Sequence, residues 1–267
     1  MISHFKEDFR NKYREIKEIG KDYYFTVYLA ENKQNKELRA IKKINLVKIR
    51  DLEDPMNGIR NMIICGKNNE NSVKYYESFE TENELAIVME YYDENLGDLL
   101  KYKRFNSSEI YEILKQLNNA FKIMKENKII HRDIKPENIL IKYKNKEKNE
   151  FIVKLSDYIL STNKNEGLCL HCGTPIYIAP EIMKGKEYNY KCDLWSLGIT
   201  IYILFFGEVP DRSMIKQMKK SEKQLIKKTE DKKLDDLIDK LLEENPDKRI
   251  TWDEYFNHPF FNITQSK

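Results

Sequence analysis

The pattern of apolar and polar positions changes character near Leu96. Before that point, β-branched and aromatic residues alternate with polar ones in short stretches bounded by polar turns. These stretches predict strands at residues 23–29, 38–44, 73–79 and 85–90. Residues 46–67 have helical spacing that Pro55 and Gly58 break, so one interrupted or shortened helix is expected between the two strand pairs.

Beyond Leu96, helical periodicity dominates. The clearest case is residues 107–126, where apolar positions recur at helical spacing behind the capping candidates Ser107 and Ser108. Further helices are predicted at residues 190–206, 232–243 and 252–257. A last strand pair, 139–141 and 151–155, flanks a polar insert that predicts a hairpin loop. Strands followed by helices indicate an α+β fold with two lobes.

The length and the net charge of the chain exclude few classes of function. The 267 residues are enough for one large domain or two small ones. Basic and acidic residues nearly cancel, 47 against 44, so nothing indicates a nucleic-acid partner or an anionic membrane. The longest apolar run, residues 197–207, is well short of the roughly 20 residues that a membrane span needs. The amino terminus lacks the apolar core of a signal peptide.

The four cysteines are few and unevenly spaced, which is typical of a reducing compartment rather than of a disulfide framework. An intracellular, cytoplasmic location is therefore expected. Cys169, His171 and Cys172 are residue types that bind metal, but a structural zinc site takes four ligands and the sequence has no second pair nearby. An ordinary loop is the better interpretation of that segment.

The strongest motif is the run HRDIKPEN at residues 131–138. With the motifs below, it resembles the eukaryotic protein kinase family, serine/threonine type, across almost the whole chain. The resemblance implies an α+β, two-lobed protein kinase fold in residues 13–261, with short terminal extensions at 1–12 and 262–267. The small β-rich N-lobe would cover about 13–90 and the larger, mainly helical C-lobe about 91–261. The implied function is ATP-dependent phosphorylation of serine or threonine in protein substrates.

Phosphoryl transfer needs positioning, charge neutralisation and a carboxylate that orients the substrate hydroxyl and accepts its proton. By resemblance that carboxylate is Asp133, while Lys135 stabilises charge on the moving phosphate and Asn138 coordinates magnesium. A lysine at this place is the pattern of serine/threonine rather than tyrosine kinases. The run LSDYI at residues 155–159 is similar to the family's Asp-Phe-Gly motif, which makes Asp157 the second metal ligand.

The run GTPIYIAPE at residues 173–181 is similar to the family segment that seats the substrate peptide. Thr174 would then contact Asp133 and Lys135, and Glu181 would form a buried structural ion pair with Arg249. The same segment argues against a third interpretation, a small-molecule or lipid kinase of similar fold. Three acidic residues could attract basic residues ahead of the target hydroxyl: Asp93, Glu94 and Glu137.

The nucleotide contacts follow from the same resemblance. The run LRAIK at residues 38–42 is similar to the family's Val-Ala-Ile-Lys strand, which sends Lys42 to the α and β phosphates of ATP. The cofactors implied are ATP with Mg²⁺, or Mn²⁺ in its place. The resemblance implies further contacts to ATP from Ile19, Gly20, Val27, Ala40, Met89, Glu90, Tyr92 and Leu140. Glu90 and Tyr92 would make theirs through backbone groups.

Several departures from the family pattern leave the activity open. Asp22 and Phe25 replace two glycines of the phosphate-covering loop, so weaker ATP binding or an altered pose is expected. Ile159 replaces the glycine of Asp-Phe-Gly, although Tyr158 keeps an aromatic ring that can pack. The alternative interpretation is a pseudokinase, a nucleotide-binding or partner-binding scaffold with little or no turnover.

The family's helix glutamate, which pairs with the strand lysine, should fall at residues 58–61, and no acidic residue occurs there. The candidates to hold Lys42 instead are Asp22, Asp51, Glu53, Asp54 and Asp157. Residues 168–172 contain no serine or threonine, so regulation without a phosphosite in that loop is expected. The sequence leaves the oligomeric state and the identity of the substrate open.

Overall fold

The computed structural model describes residues 4–48, 55–145, 147, 150–164, 173–210 and 228–262. The amino-terminal strands are β1 His4–Phe5, β2 Tyr13–Lys21, β3 Phe25–Asn32, β4 Leu38–Asn45, β5 Tyr75–Glu80 and β6 Glu84–Met89. They form one six-stranded sheet in the order β1-β5-β6-β4-β3-β2. The pair β1 and β5 is parallel, and the other neighbours are antiparallel.

Both faces of this sheet are buried near its centre, which explains the continuous apolar run in β6. Successive strand residues point to opposite faces. Leu85 and Ile87 therefore belong to the main core, whereas Ala86 and Val88 belong to a second cluster that includes Phe9. The chain before β2 thus closes one face of the sheet, and β1 extends its edge.

The observed strands differ from the predicted ones in their bounds and in their number. The strand predicted at 23–29 is β3, Phe25–Asn32, because the preceding residues form the turn. β2, Tyr13–Lys21, was not predicted as a strand of its own. Most of its side chains are exposed, including Ile16 and Ile19, so it lacks the apolar alternation that marks a half-buried strand. β1 lies in the segment expected to be a mere terminal extension.

Of the two expectations for the first helix, the interruption at Gly58 is wrong, whereas a helix shorter than residues 46–67 agrees with the described residues, since 46–48 form a turn. α1 runs without a break over Pro55–Gly66, and Gly58 lies inside it. Pro55 is the first described residue of α1, because residues 49–54 lie outside the described part of the chain. Gly58, Ile59, Met62 and Cys65 are buried, so this face of α1 packs on the molecule's interior.

The carboxyl-terminal part is mainly helical. Its helices are α2 Leu96–Leu99, α3 Ser107–Glu126, α4 Pro180–Met183, α5 Lys191–Phe206, α6 Lys232–Leu241 and α7 Trp252–Phe256. A small sheet in the order β7-β8-β9 consists of β7 Glu94–Asn95, β8 Ile139–Asn145 and β9 Glu150–Leu155. The predicted loop is therefore shorter than expected, because both strands of the hairpin extend into the polar insert.

α3 and α5 show how the sequence specifies the helices. The cap of α3 is Asn106, one residue before the predicted serines, and it forms a capping box with Glu109. Every residue of α5 from Cys192 to Leu204 is buried, as its apolar sequence predicts. In the described residues, a sheet-rich lobe and a helical lobe share one continuous core, which confirms the α+β, two-lobed prediction. None of the described helices is long and apolar enough to cross a membrane.

The predicted ion pair between Glu181 and Arg249 lies in the helical lobe. The guanidinium donates from both terminal nitrogens, at 2.7 and 2.8 Å, to the two carboxylate oxygens. It also donates to the carbonyl oxygens of Glu243 and Lys191, at 2.9 and 2.7 Å. Both side chains are almost fully excluded from solvent. A buried charge left by removal of one partner would be uncompensated.

We expect Arg249→Met to lower the free energy of unfolding by roughly 3 to 5 kcal/mol, since it leaves Glu181 buried without its partner. Lys115→Met is the matched control, because Lys115 and Glu112 form an exposed pair on α3. Urea unfolding of the two variants and the parent protein measures the difference. A loss for Arg249→Met no larger than that for Lys115→Met would contradict this assignment.

Candidate active site

A pocket of about 710 Å³ lies between the two lobes. Its size is in the range of small-molecule sites. Residues of the sheet, the segment after β6, the loop before β8 and the segment after β9 line it together. All the residues that the sequence predicts as nucleotide contacts lie in this lining: Ile19, Gly20, Val27, Ala40, Lys42, Met89, Glu90, Tyr92, Leu140 and Asp157.

The strand register explains why the sheet residues meet there. Directly opposite residues of antiparallel strands share a face, as do residues two apart on one strand. Val27 is opposite Lys42, and Ala40 is opposite Met89. Ile87, opposite Lys42 on β6, completes the same face. Ile87 was not predicted as a site residue, although its place two residues before Met89 on the strand is the signal that could have identified it.

Asp133 lies at the centre of a compact polar cluster. Its Oδ1 accepts hydrogen bonds from the hydroxyl and the backbone N–H of Thr174, at 2.9 and 3.2 Å. Its Oδ2 is 2.9 Å from Lys135 Nζ and accepts from Asn138 Nδ2 at 2.9 Å. Lys135 also donates to Thr174 Oγ1 at 2.6 Å. The structure therefore brings together three of the four residues predicted to be catalytic, Asp133, Lys135 and Thr174, whereas the fourth, Lys42, pairs with Asp157.

The charge of Lys135 is secured by its neighbours. Burial alone lowers the pKa of Lys135, but the negative charge and the hydrogen bond of Asp133 outweigh that effect and raise the pKa above its ordinary value. Lys135 therefore stays cationic at neutral pH. Lys135 and Thr174, which both contact the Asp133 carboxylate, line the pocket. An ammonium in this place can stabilise developing negative charge.

The loop that carries Asp133 is anchored by Asp193, at the start of α5. Its two carboxylate oxygens accept the backbone N–H groups of His131 and Arg132, at 2.7 and 2.8 Å. Arg132 has a positive φ of 68°, an uncommon conformation that these bonds hold. Burial raises the pKa of Asp193 to about 6 although both N–H groups lower it. The sequence offered one sign of this role, a charged residue within an otherwise apolar helix.

His131 connects the loop to the segment after β9. Its Nε2 lies 3.0 Å from the carbonyl oxygen of Ser156, and the backbone N–H of Asp133 donates to its Nδ1 at 3.3 Å. Nδ1 thus accepts while Nε2 donates, which is the neutral form of the ring. Burial lowers the pKa of His131, in agreement with that form. The His131 ring also packs edge-on against Tyr158, with centroids 4.9 Å apart.

Lys42 is held by Asp157, one of the candidates that the sequence left open. Its Nζ lies 2.6 Å from Asp157 Oδ1, and the lysine is only 3% exposed. Burial alone raises the pKa of Asp157, but the charge and hydrogen bond of Lys42 outweigh it, so the pKa lies below its ordinary value. Of the other candidates, Asp22 lines the pocket, whereas 51–54 lie outside the described residues.

α1 contacts the segment after Asp157 through backbone rather than through an ion pair. A Cβ atom on Gly58 would lie 2.6 Å from the Tyr158 carbonyl oxygen and 2.7 Å from the Ile159 Cα. One turn further along, Asn61 Nδ2 donates to Ser161 Oγ at 3.0 Å. Gly58 and Met62 line the pocket and were not predicted as site residues. The glycine had been interpreted only as a helix breaker.

Ile159 does not carry the strained backbone that its replacement of a glycine suggests. It lies within a 3-10 turn, Tyr158–Leu160, and the residue with positive φ is Asp157, at 65°. The Tyr158 hydroxyl forms a buried hydrogen bond with Ser72 Oγ at 2.8 Å, which phenylalanine could not make. A tyrosine at this place therefore adds a polar tie between the segment and the turn before β5.

The metal predictions have different outcomes. Asp157 and Asn138 line the same pocket and supply a carboxylate and an amide oxygen, the donor types that Mg²⁺ prefers. In the part of the chain that the structure describes, no group of three or more His, Cys, Asp or Glu residues could hold a metal ion. Mg²⁺ at this pocket would therefore share its coordination with phosphate oxygens. Cys169, His171 and Cys172 lie outside the described residues, as does the loop at 168–172.

Gly58→Ala tests the close contact between α1 and the Tyr158–Leu160 turn. An alanine inside a helix is normally more stable than glycine by about 0.5 to 1 kcal/mol. Here we expect a loss of roughly 1 to 3 kcal/mol, because the new Cβ meets backbone atoms that cannot easily move. Gly20→Ala is the control, since its Cβ would meet Val27 at an ordinary 3.7 Å. Urea unfolding decides, and a gain in stability for Gly58→Ala would contradict the described packing.

Comparison with known proteins agrees with this geometry. The family model of the protein kinase domain matches residues 13–261. The chain is 32% identical over 273 aligned positions to calcium-dependent protein kinase 4 of Plasmodium berghei, covering 97% of this chain and 51% of that protein. It is 30% identical to human NUAK family SNF1-like kinase 1, covering 97% of this chain and 40% of that protein. The chain thus spans about half the length, or less, of these relatives. It belongs to the protein kinase family.

Proposed function

We propose that this chain transfers the γ-phosphoryl group of ATP to serine or threonine in protein substrates. The observation that carries the proposal is the cluster around Asp133, where Lys135, Thr174 and Asn138 all contact its carboxylate. A lysine and a threonine in these places fit a serine/threonine acceptor. The serine/threonine kinases among its relatives support the same substrate class.

Asp133 acts as the base in this mechanism. Its carboxylate orients the acceptor hydroxyl and takes its proton while the hydroxyl oxygen attacks the γ-phosphorus. The bond from that phosphorus to the oxygen shared with the β-phosphate breaks, and ADP leaves. Lys135, 2.9 Å from Asp133, stabilises charge on the transferred group. Mg²⁺ or Mn²⁺, held by Asn138 and Asp157, would neutralise the β and γ phosphates.

The adenine base is assigned to the inner end of the pocket, between Val27 and Ala40 of the sheet and Leu140 of β8. The backbone N–H of Glu90 donates to the Lys74 carbonyl oxygen at 2.9 Å, so its own carbonyl is the group that can accept from the base. Tyr92 would donate its N–H. We place the boundary between the lobes here, with the N-lobe at 13–90 and the C-lobe at 91–261.

The alternative is a pseudokinase that binds nucleotide or partners without appreciable turnover. Two features support it: Asp22 brings a carboxylate to the phosphate-covering loop, and the Phe25 ring lies against Lys42. Against it stands the retention of Asp133, Asn138 and Asp157, which a pure scaffold has no physical need to keep in this arrangement.

Asp133→Asn distinguishes the two functions. Purified wild-type and variant chains are incubated with labelled ATP, Mg²⁺ or Mn²⁺, and a generic basic protein. We expect the wild type to transfer label and the variant to lose at least about 100-fold of that rate, because the base is removed while the hydrogen-bonding shape is kept. Transfer by neither chain, with ATP binding detected by thermal shift, would favour the pseudokinase. Equal transfer by both would contradict the role of Asp133.

We further propose that substrates carry basic residues ahead of the acceptor. Asp93, Glu94 and Glu137 line the pocket mouth. Glu94 accepts a hydrogen bond from the Tyr102 hydroxyl at 2.8 Å, so part of its capacity is used within the protein. Glu137 directly follows the catalytic run's proline and is the better candidate to meet a substrate cation.

Glu137→Gln should lower kcat/KM about tenfold for peptides with Arg or Lys ahead of the acceptor, the size of one charge-assisted hydrogen bond. Peptides with alanine at those positions should change little. Glu112→Gln, on the exposed face of α3, is the control. A peptide array that shows no preference for Arg or Lys in the wild type would remove this proposal.

Regulation without a phosphosite in the loop at 168–172 stays a prediction, as does the cytoplasmic location. Two hydrogen bonds of Arg132 are relevant to the prediction about the phosphosite. Arg132, which could meet a loop phosphate, donates from Nε to the Leu160 carbonyl oxygen at 2.6 Å and from Nη1 to the Tyr188 hydroxyl at 3.3 Å. These bonds hold the arginine without a phosphate group, which supports the proposal.

A further inference from the structure

Phe25 lies directly against the buried end of Lys42. The ammonium nitrogen is 3.3 Å from the centroid of the Phe25 ring, on its face. Phe25 stands where related kinases have the last glycine of the phosphate-covering loop, a place with no side chain. Its aromatic ring is therefore an addition to the site and a departure from the family pattern.

The sheet register and the loop turn place the ring there. Val27 is opposite Lys42, and Phe25 is two residues before Val27 on the same face of β3. A diagonal neighbour at this spacing is within reach of an aromatic side chain. The backbone N–H of Asp22 donates to the Phe25 carbonyl oxygen at 2.9 Å and closes a tight turn, which fixes the start of β3.

A buried ammonium needs compensation for its lost hydration. Lys42 is 3% exposed, and its described ion pair is with the single oxygen Oδ1 of Asp157. The face of an aromatic ring carries negative charge density and attracts a cation, more strongly where water is excluded. The Phe25 face therefore supplies part of the stabilisation that a second carboxylate would otherwise give.

α1 cannot supply that carboxylate. Its twelve residues include no acid, and Gly58 lies directly against the backbone of the Tyr158–Leu160 turn. Any side chain at Gly58 would begin with a Cβ 2.6 Å from the Tyr158 carbonyl oxygen, so a glutamate does not fit unless α1 moves away. The close docking of α1 and an ion pair from α1 to Lys42 exclude each other at this position.

We propose that Phe25 is a positioning residue that holds the Lys42 ammonium, in place of a carboxylate from α1, whose described residues contain none. The proposal rests on the proposed function and on the role that the family resemblance implies for Lys42, a contact with the α and β phosphates of ATP. Asp157 is shared with the metal ion when nucleotide binds, and the ring then keeps Lys42 directed into the pocket. The opposite hypothesis is that the Phe25 ring only obstructs the phosphates. It predicts a higher kcat when the ring is removed.

The first test is a double-mutant cycle on thermal unfolding, which needs no catalytic activity. Phe25→Leu keeps an apolar side chain of similar size but has no aromatic face. We expect it to lower Tm by about 3 °C when Lys42 is present and by less than about 1 °C in the Lys42→Met background. Phe25→Tyr, which retains the face, should keep Tm within about 1 °C of the parent. Tyr23→Leu, at the 67% exposed tip of the same loop, should act equally in both backgrounds.

Equal losses for Phe25→Leu in the two backgrounds would overturn the proposal. If Lys42→Met does not fold, amine labelling of Lys42, followed by peptide mass analysis, replaces the cycle. Phe25→Leu should then label Lys42 several-fold faster than the parent, relative to the exposed Lys17, and Phe25→Tyr should not. Unchanged labelling in Phe25→Leu would mean that the ring only fills space, which also overturns the proposal.

The second test is kinetic and uses the same variants. In an active protein, Phe25→Leu should lower kcat at least fivefold with a change in KM for ATP of less than about twofold, since positioning affects the transition state more than ground-state binding. Phe25→Tyr should recover most of that kcat. A rise in kcat, or a tighter KM, in Phe25→Leu would identify the ring as an obstruction and overturn the proposal. If the wild-type chain transfers no phosphate, only the proposed function is contradicted. The unfolding cycle still tests the role of Phe25, because it needs no catalytic activity.

Discussion

The ion pair between Lys42 and Asp157 is the contact on which the geometry of the site depends. It joins β4 of the sheet to the segment after β9 across the pocket, between residues 115 positions apart in the sequence. Because the lysine is almost fully buried, its charge must face a carboxylate at short range. The distance of 2.6 Å therefore holds β4 and the segment after β9 close together at this side of the pocket.

A second buried carboxylate, Asp193, fixes the other side of the pocket. Two backbone N–H groups of the loop that carries Asp133 donate to it. The site thus contains Asp133 and Asp157, two negative charges that would repel each other if each stood alone. Each is paired with its own lysine, Lys135 for Asp133 and Lys42 for Asp157, so groups of opposite charge lie next to each other in a mostly buried site. This pairing of opposite charges offsets part of the cost of burying them.

The sequence predicted the parts of the molecule that depend on local pattern. The loop run at 131–138 and the apolar helix α5 needed no knowledge of distant contacts. Prediction failed where a distant contact decides. Gly58 indicated a break because glycine is a poor helix former, yet the helix continues since its backbone docks on Ile159. The partner of Lys42 stayed ambiguous for the same reason, because pairing across the pocket is not encoded in spacing. β2 was missed because its exposed side chains lack the apolar alternation of a half-buried strand.

The departures from the family pattern are more coherent in three dimensions than along the chain. The Tyr158–Leu160 turn has gained a β-branched residue at Ile159, and the helix that faces it has a glycine at Gly58. A residue with a larger side chain, Ile159, thus lies against a residue without one, Gly58, so the two backbones can approach closely. This close approach leaves no space for a glutamate at Gly58 of α1. Without that glutamate, the buried Lys42 needs another partner. Phe25 stands at 3.3 Å from that lysine, so the loop change and the helix change concern one buried charge. Taken one at a time, the substitutions at Phe25, Gly58 and Ile159 would each suggest loss of function. Together they surround or affect one ammonium group, as expected if the site was altered in a coordinated way rather than lost.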